Sequence, residues 1–139
     1  MKPLVKICGL STPDTVSAAV DNGVDMIGFI FFPKSPRNVG IEQAGKLRQS
    51  AAVRATAVAV SVDASDEALD SIVSGMKPDM LQLHGHETPE RVAAVKARFV
   101  LPVMKAVSIR ERADLDQIAP YLGIADKFLL DAKAPKGSQ

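Results

Sequence analysis

Six short β-branched or Leu-rich runs recur along the chain at roughly 25-residue intervals, and each gap between them reads as a helix. The runs are Leu4–Ile7, Met26–Phe31, Thr56–Val62, Met80–Leu83, Val103–Val107 and Lys127–Leu130. Most are apolar on both faces, as strands of a parallel sheet covered on both sides should be. Strands that alternate with helices imply right-handed βαβ crossovers. Length then limits the architecture. A closed eight-stranded α/β barrel typically takes about 250 residues, and this chain has 139. No linker or low-complexity stretch divides it, so residues 1–139 are expected to form a single domain.

Local signals place the helices. Ser11 or Thr12 caps the first, Pro13 stands at or near its first position, and Asp14 suits the positive end of the helix dipole. Val16, Ala19 and Val20 form its apolar stripe, and Asn22-Gly23 ends it. The second is expected from about Ile41 to Ser50, with Ile41, Ala44 and Leu47 inward. Ser65 caps the third, which should bury Ala68, Leu69 and Ile72 and stop at Gly75. The fourth opens at Thr88-Pro89-Glu90 and carries Val92, Val95 and Phe99. A fifth is expected from near Ser108 to Pro120, with Leu115 and Ile118 inward. A sixth strand and a polar tail follow.

Charge and cysteine content narrow the function classes. Seventeen basic against sixteen acidic residues give a net charge of +1, so nothing attracts the chain in bulk to nucleic acid or an anionic membrane. Cys8 is the single cysteine, which rules out an internal disulfide scaffold and CxxC motifs. The start of the chain lacks the apolar segment of a signal peptide, and no run reaches the length of a membrane span. The expectation is a soluble, cytoplasmic protein.

In a parallel α/β sheet, function collects where strand C-termini meet the following loops. Cys8-Gly9, Pro33–Arg37, Asp63, His84–Glu87, Ser108 and Asp131–Lys136 fall there. Cys8 is a base or nucleophile as its thiolate, or else a buried small hydrophobe. Asp131 is a general acid if partly enclosed, or else a loop cap. Arg37, in a loop with two prolines and a second cation, is a carboxylate clamp or part of a solvated basic loop. His84 and His86 flank Gly85, which favours a turn over a strand and argues against a metal pair. No GxGxxG or P-loop pattern supports nucleotide-phosphate binding.

Four motifs, in order, resemble those of the phosphoribosylanthranilate isomerase family. They are Lys6-Ile7-Cys8-Gly9-Leu10, Gly28 through Arg37 (GFIFFPKSPR), Leu81-Gln82-Leu83-His84-Gly85, and Leu129-Leu130-Asp131-Ala132-Lys133. The resemblance covers essentially the whole chain. It implies a TIM (β/α)8 barrel, present here as an incomplete barrel from the first strand to about the sixth, the N-terminal two thirds. It implies an Amadori rearrangement in tryptophan biosynthesis, in which N-(5-phosphoribosyl)anthranilate becomes 1-(2-carboxyphenylamino)-1-deoxyribulose 5-phosphate. The small phosphorylated substrate is the implied partner, with no cofactor and no metal. By position, Cys8 matches the family's general base, Asp131 its general acid and Arg37 its contact to the anthranilate carboxylate. His84 and Gln82 are assigned pocket-lining or structural roles.

Two departures follow. Val60-Ser61-Val62-Asp63 stands where the family more often has an aromatic residue and then Asn. Family members also continue past residue 139 through further βα units that carry the phosphate site. Three readings compete: an isomerase whose C-terminal third lies outside this sequence, a short flavodoxin-like binding module, or a piece that assembles with a second copy or a partner piece. A barrel of six strands leaves its first and last strands with open edges, which invites self-association. Such a piece alone is expected to be inactive. A strand order of 2-1-3-4-5 would instead mark the open sheet.

Overall fold

The helix starts use the capping groups that the sequence carries. In the computed structural model, which describes residues 3–51 and 54–132, Thr12 caps α1 (Pro13–Asp21) by accepting the Thr15 N–H, and Thr15 returns a bond to the Thr12 N–H. Ser65 accepts from Ala68 N–H to open α3 (Asp66–Met76), and Thr88 accepts from Arg91 N–H to open α4 (Pro89–Phe99). Helix α2 is Ile41–Ala51. The strands are β1 (Lys6–Cys8), β2 (Met26–Phe31), β3 (Thr56–Ser61), β4 (Met80–Leu83), β5 (Val103–Ile109) and β6 (Lys127–Ala132).

All neighbouring strands pair in parallel, in the order β1-β2-β3-β4-β5-β6. Each crossover therefore steps one strand in the same direction, which puts the helices on one face and curls the sheet into a barrel wall. The 2-1-3-4-5 order of the flavodoxin-like alternative is not formed. Among the described residues, β1 and β6 each pair on one side only. Leu4 and Val5 beside β1, and Leu130 on β6, are exposed there.

Alternation along each strand splits the apolar residues into two layers. Ile27, Phe29, Ala57, Ala59, Leu81, Leu83 and Val103 pack outward against Val16, Leu47, Leu69, Ile72, Val92 and Val95 of the helices. Met26, Ile30, Val58, Val60, Met80 and Met104 point the other way and fill the barrel interior, with Cys8, Phe32 and Leu129 against them. Phe29 and Ile27 are completely buried, each contributing roughly 1.5–3 kcal/mol.

Three aspartates lock the register. Asp25, Asp79 and Asp126 stand immediately before β2, β4 and β6. Each carboxylate accepts a backbone N–H at the start of the preceding strand: Val5 at 2.8 Å, Ala57 at 2.9 Å and Val103 at 2.8 Å. The same link therefore recurs between each odd strand and the even strand after it. Ile30, His84 and Asp131 fall at the same distance beyond their aspartates, so they enter the barrel in one layer, as alternate strands do in this fold.

The Val103 N–H, helped by Lys96 Nζ at 3.1 Å, holds the Asp126 carboxyl below the usual carboxylate range. A depressed folded-state value stabilises the protein above the unfolded value of about pH 4, and that contribution is lost as pH falls through the folded value. Asp126 is partly exposed, so the contribution is at most about 1 kcal/mol. Asp126→Asn should lower the unfolding free energy from urea titration at pH 7 by up to that amount, with the gap closing in acid. A gap of constant size across the pH range would contradict this.

Three sequence expectations need correction. The fifth connection is a 3-10 helix (Arg112–Tyr121) with no buried residue, and Leu115 is 42% exposed rather than inward. Asp114 fixes its start by accepting from the Arg110 and Glu111 N–H groups, and Pro120 supplies no N–H near its end. Ala68 is exposed, because its place in the first turn of α3 serves the Ser65 cap. Gly75 lies inside α3, packed on Ile41. The helix ends at Met76, with Lys77 left-handed at φ 54°. The tail from Lys133 to Gln139, including Lys133 of the fourth motif, lies outside the described residues.

Candidate active site

Cys8 and Asp131 come from opposite ends of the six-stranded sheet, yet both line one cavity of about 530 Å³. Only the curl of the sheet can bring them together. Lys6, Gln82, His84 and Leu129 reach the same cavity from the inner faces of β1, β4 and β6, and Arg37 closes it from the loop after β2. Two cations, Lys6 and Arg37, share this space with the carboxylate of Asp131, an arrangement suited to an anionic ligand.

Glycines make room for the reactive side chains. Gly28 lies beside Cys8 in the β1–β2 register, and a Cβ there would come 3.0 Å from the Cys8 sulfur and 3.3 Å from Lys6 Nζ. Gly9 has a φ of +82°, and a Cβ on it would meet the Arg37 side chain at 2.6 Å. Arg37 can therefore lie across the end of β1, where its Nη1 donates to the Cys8 carbonyl at 3.4 Å. The loop that delivers it is stiffened by Pro33 and Pro36 and by the Ser35 hydroxyl, which accepts the Arg37 N–H at 3.1 Å. Cys8 is half-buried and Asp131 is exposed. A thiol and a carboxyl flanking one cavity can serve as a base and an acid for proton transfer, and a guanidinium can grip a carboxylate with two hydrogen bonds.

The two histidines part company. His84 turns into the cavity, its Nδ1 3.1 Å from Gln82 Nε2 and its Nε2 3.3 Å from Asp131 Oδ2. The His86 side chain is 98% exposed and meets Asp63 at 3.2 Å. Among the described residues, no group of three His, Cys, Asp or Glu side chains could hold a metal ion.

Two features of the site were not anticipated from sequence. One is the Gln82–His84–Asp131 contact. The other is a buried ion pair, Lys105 with Glu87 at 3.3 Å, each side chain 4% exposed. Glu87 also accepts from the Asp63 and Gly85 N–H groups, both at 2.9 Å, which ties the loops after β3 and β4 together under His84. A lysine interrupting the apolar run Val103–Val107 was the available signal.

Residues 5–139 match the family model described as N-(5'phosphoribosyl)anthranilate (PRA) isomerase. The chain belongs to this family. It is 65% identical over 135 residues to the N-(5'-phosphoribosyl)anthranilate isomerases of Brucella canis and Brucella abortus, matching 97% of this chain and 61% of theirs. It thus spans about three fifths of those relatives. The PRA isomerase crystal structure from Thermotoga maritima aligns over 99% of this chain and 66% of its own, with a TM-score of 0.89 at 30% identity. A PRA isomerase crystallised with reduced 1-(o-carboxyphenylamino)-1-deoxyribulose 5-phosphate aligns over 96% of this chain and 77% of its own, with a TM-score of 0.81 at 25% identity. The family and the incomplete-barrel architecture implied by the four motifs are therefore both borne out.

Proposed function

We propose that the protein carrying this chain is a cytoplasmic aldose–ketose isomerase that performs the Amadori rearrangement of N-(5'-phosphoribosyl)anthranilate in tryptophan biosynthesis. The observation that carries this reading, beside family membership, is the cavity shared by Cys8, Arg37 and Asp131. Asp131 gives a proton to the ribose ring oxygen as the C1–O bond breaks, and the anilino nitrogen lone pair forms the C1=N bond of a Schiff base. Cys8, as thiolate, takes the proton from C2, and the electron pair moves through C1 to the nitrogen. The resulting enol ketonises to the amino-ketose, with a proton returned to C1. No net oxidation occurs, so the chemistry draws only on groups that move protons.

Arg37 would hold the anthranilate carboxylate away from the reacting carbons. Its loss should therefore weaken binding more than turnover. Losing a charge-assisted hydrogen bond costs about 1.5–3 kcal/mol, or roughly 10- to 100-fold. Arg37→Ala is expected to raise KM by that factor while kcat stays within about threefold. An unchanged KM would remove Arg37 from the carboxylate site. The relatives are longer, and barrels of this kind bind phosphate at the loops after their last two strands. The proposed activity is thus that of the longer protein. A polypeptide of residues 1–139 alone should self-associate through the exposed edges at Leu4, Val5 and Leu130.

A further inference from the structure

We infer that His84, oriented by Gln82, is a positioning residue for Asp131. This rests on the reading of Asp131 as the general acid and extends it to two side chains that would otherwise only line the pocket. Gln82 is 1% exposed and faces the barrel interior, where its partners on the adjacent strands are Val60 and Met104. An apolar residue would fill that place with no polar group to satisfy. The amide instead puts Nε2 3.1 Å from His84 Nδ1, while its Oε1 is buried without a partner among the described residues. A buried amide left half satisfied is costly in a core, and its one bond is to the ring that touches Asp131.

The direction of that bond sets the tautomer. Gln82 Nε2–H donates, so His84 Nδ1 accepts and the neutral ring carries its proton on Nε2. That N–H points at Asp131 Oδ2, 3.3 Å away. His84 and Asp131 meet because they occupy equivalent places, five residues beyond Asp79 and Asp126, entering the barrel in one layer. When Asp131 gives its proton to the ring oxygen, the carboxylate left behind is received by a donor already in place. His84 keeps its own proton throughout, so the only proton that moves is the one from Asp131. Gln82 thus fixes the ring, the ring fixes the carboxyl, and neither touches the reacting atoms.

The test is steady-state turnover of N-(5'-phosphoribosyl)anthranilate by the full-length protein and its variants, beside ¹⁵N spectra of the His84 ring. The Nε2–H tautomer is expected in the parent and should be lost or mixed in Gln82→Met, which keeps the volume but removes the donor. In kinetics, His84→Ala should lower kcat about tenfold or more with KM within about twofold. His84→Gln, whose amide can place an N–H near the original Nε2, should recover most of the loss. Gln82→Met should fall between them. Three results would overturn the inference: an Nδ1–H tautomer in the parent, wild-type kcat in His84→Ala, or equal losses in His84→Ala and His84→Gln. If any of these appears while Asp131→Ala is inactive, the acid assignment stands and only the positioning role fails. Full activity in Asp131→Ala would instead remove the reading on which the inference rests.

Discussion

Replacing Glu87 by alanine is expected to destabilise the protein by about 3–5 kcal/mol, the usual cost of stranding one member of a buried ion pair. Its partner, Lys105, is 4% exposed. Lys105 would keep three carbonyl partners, Leu83, Gly85 and Ala106, but no counter-charge. Two backbone donors, Asp63 N–H and Gly85 N–H, would lose their acceptor at the same time. Urea unfolding of the full-length protein measures the loss. Lys105→Met should cost less, because Glu87 keeps both N–H donors, and the pair Glu87→Gln with Lys105→Met should recover part of the Glu87→Ala loss. A Glu87→Ala variant within about 1 kcal/mol of the parent would show that the pair contributes little beyond its surroundings. Activity should also fall, since these bonds hold the loops on either side of His84.

The strands were legible because both of their faces are apolar. Met26–Phe31 and Met80–Leu83 read the same in sequence and structure. The capping residues Thr12, Ser65 and Thr88 were legible because a short hydroxyl followed by proline or an acid has a local meaning. The fifth connection was misread because Leu115 and Ile118 have helical spacing, whereas the Asp114 bonds and Pro120 that decide its form do not show in periodicity. The site divides in the same way. Cys8, Arg37 and Asp131, which line one cavity, stand out in the sequence because strand ends and family motifs mark them. The roles of Gln82, His84, Glu87 and Lys105 depend on which strand neighbours which, and on the layering of alternate strands. Nothing local in the sequence encodes that layering. The three aspartates before the even strands are visible as residues, but the backbone N–H groups they hold lie 20 or more positions away in the chain.

Cys8 and Asp131 should each be worth far more to turnover than to stability. Cys8 is half-buried and Asp131 exposed, so trimming either to alanine leaves the core layers of the barrel intact. A positioned acid or base contributes roughly 10²- to 10⁴-fold, or about 2.7–5.5 kcal/mol of barrier. Neither change removes Arg37, the proposed carboxylate contact, so KM should move little. The two losses should not simply add in the double variant, because the proposed mechanism makes ring opening and C2 deprotonation successive steps.

The central claim is that this cavity moves protons on the ribose of N-(5'-phosphoribosyl)anthranilate, with Cys8 as base and Asp131 as acid. The most direct measurement is kcat for that substrate in the full-length protein, compared with its Cys8→Ala and Asp131→Ala variants at matched folding. Turnover by the parent and a fall of at least about 100-fold in each variant is the expected result. Either variant turning over within about threefold of the parent, or a parent that leaves the substrate unchanged, would contradict it.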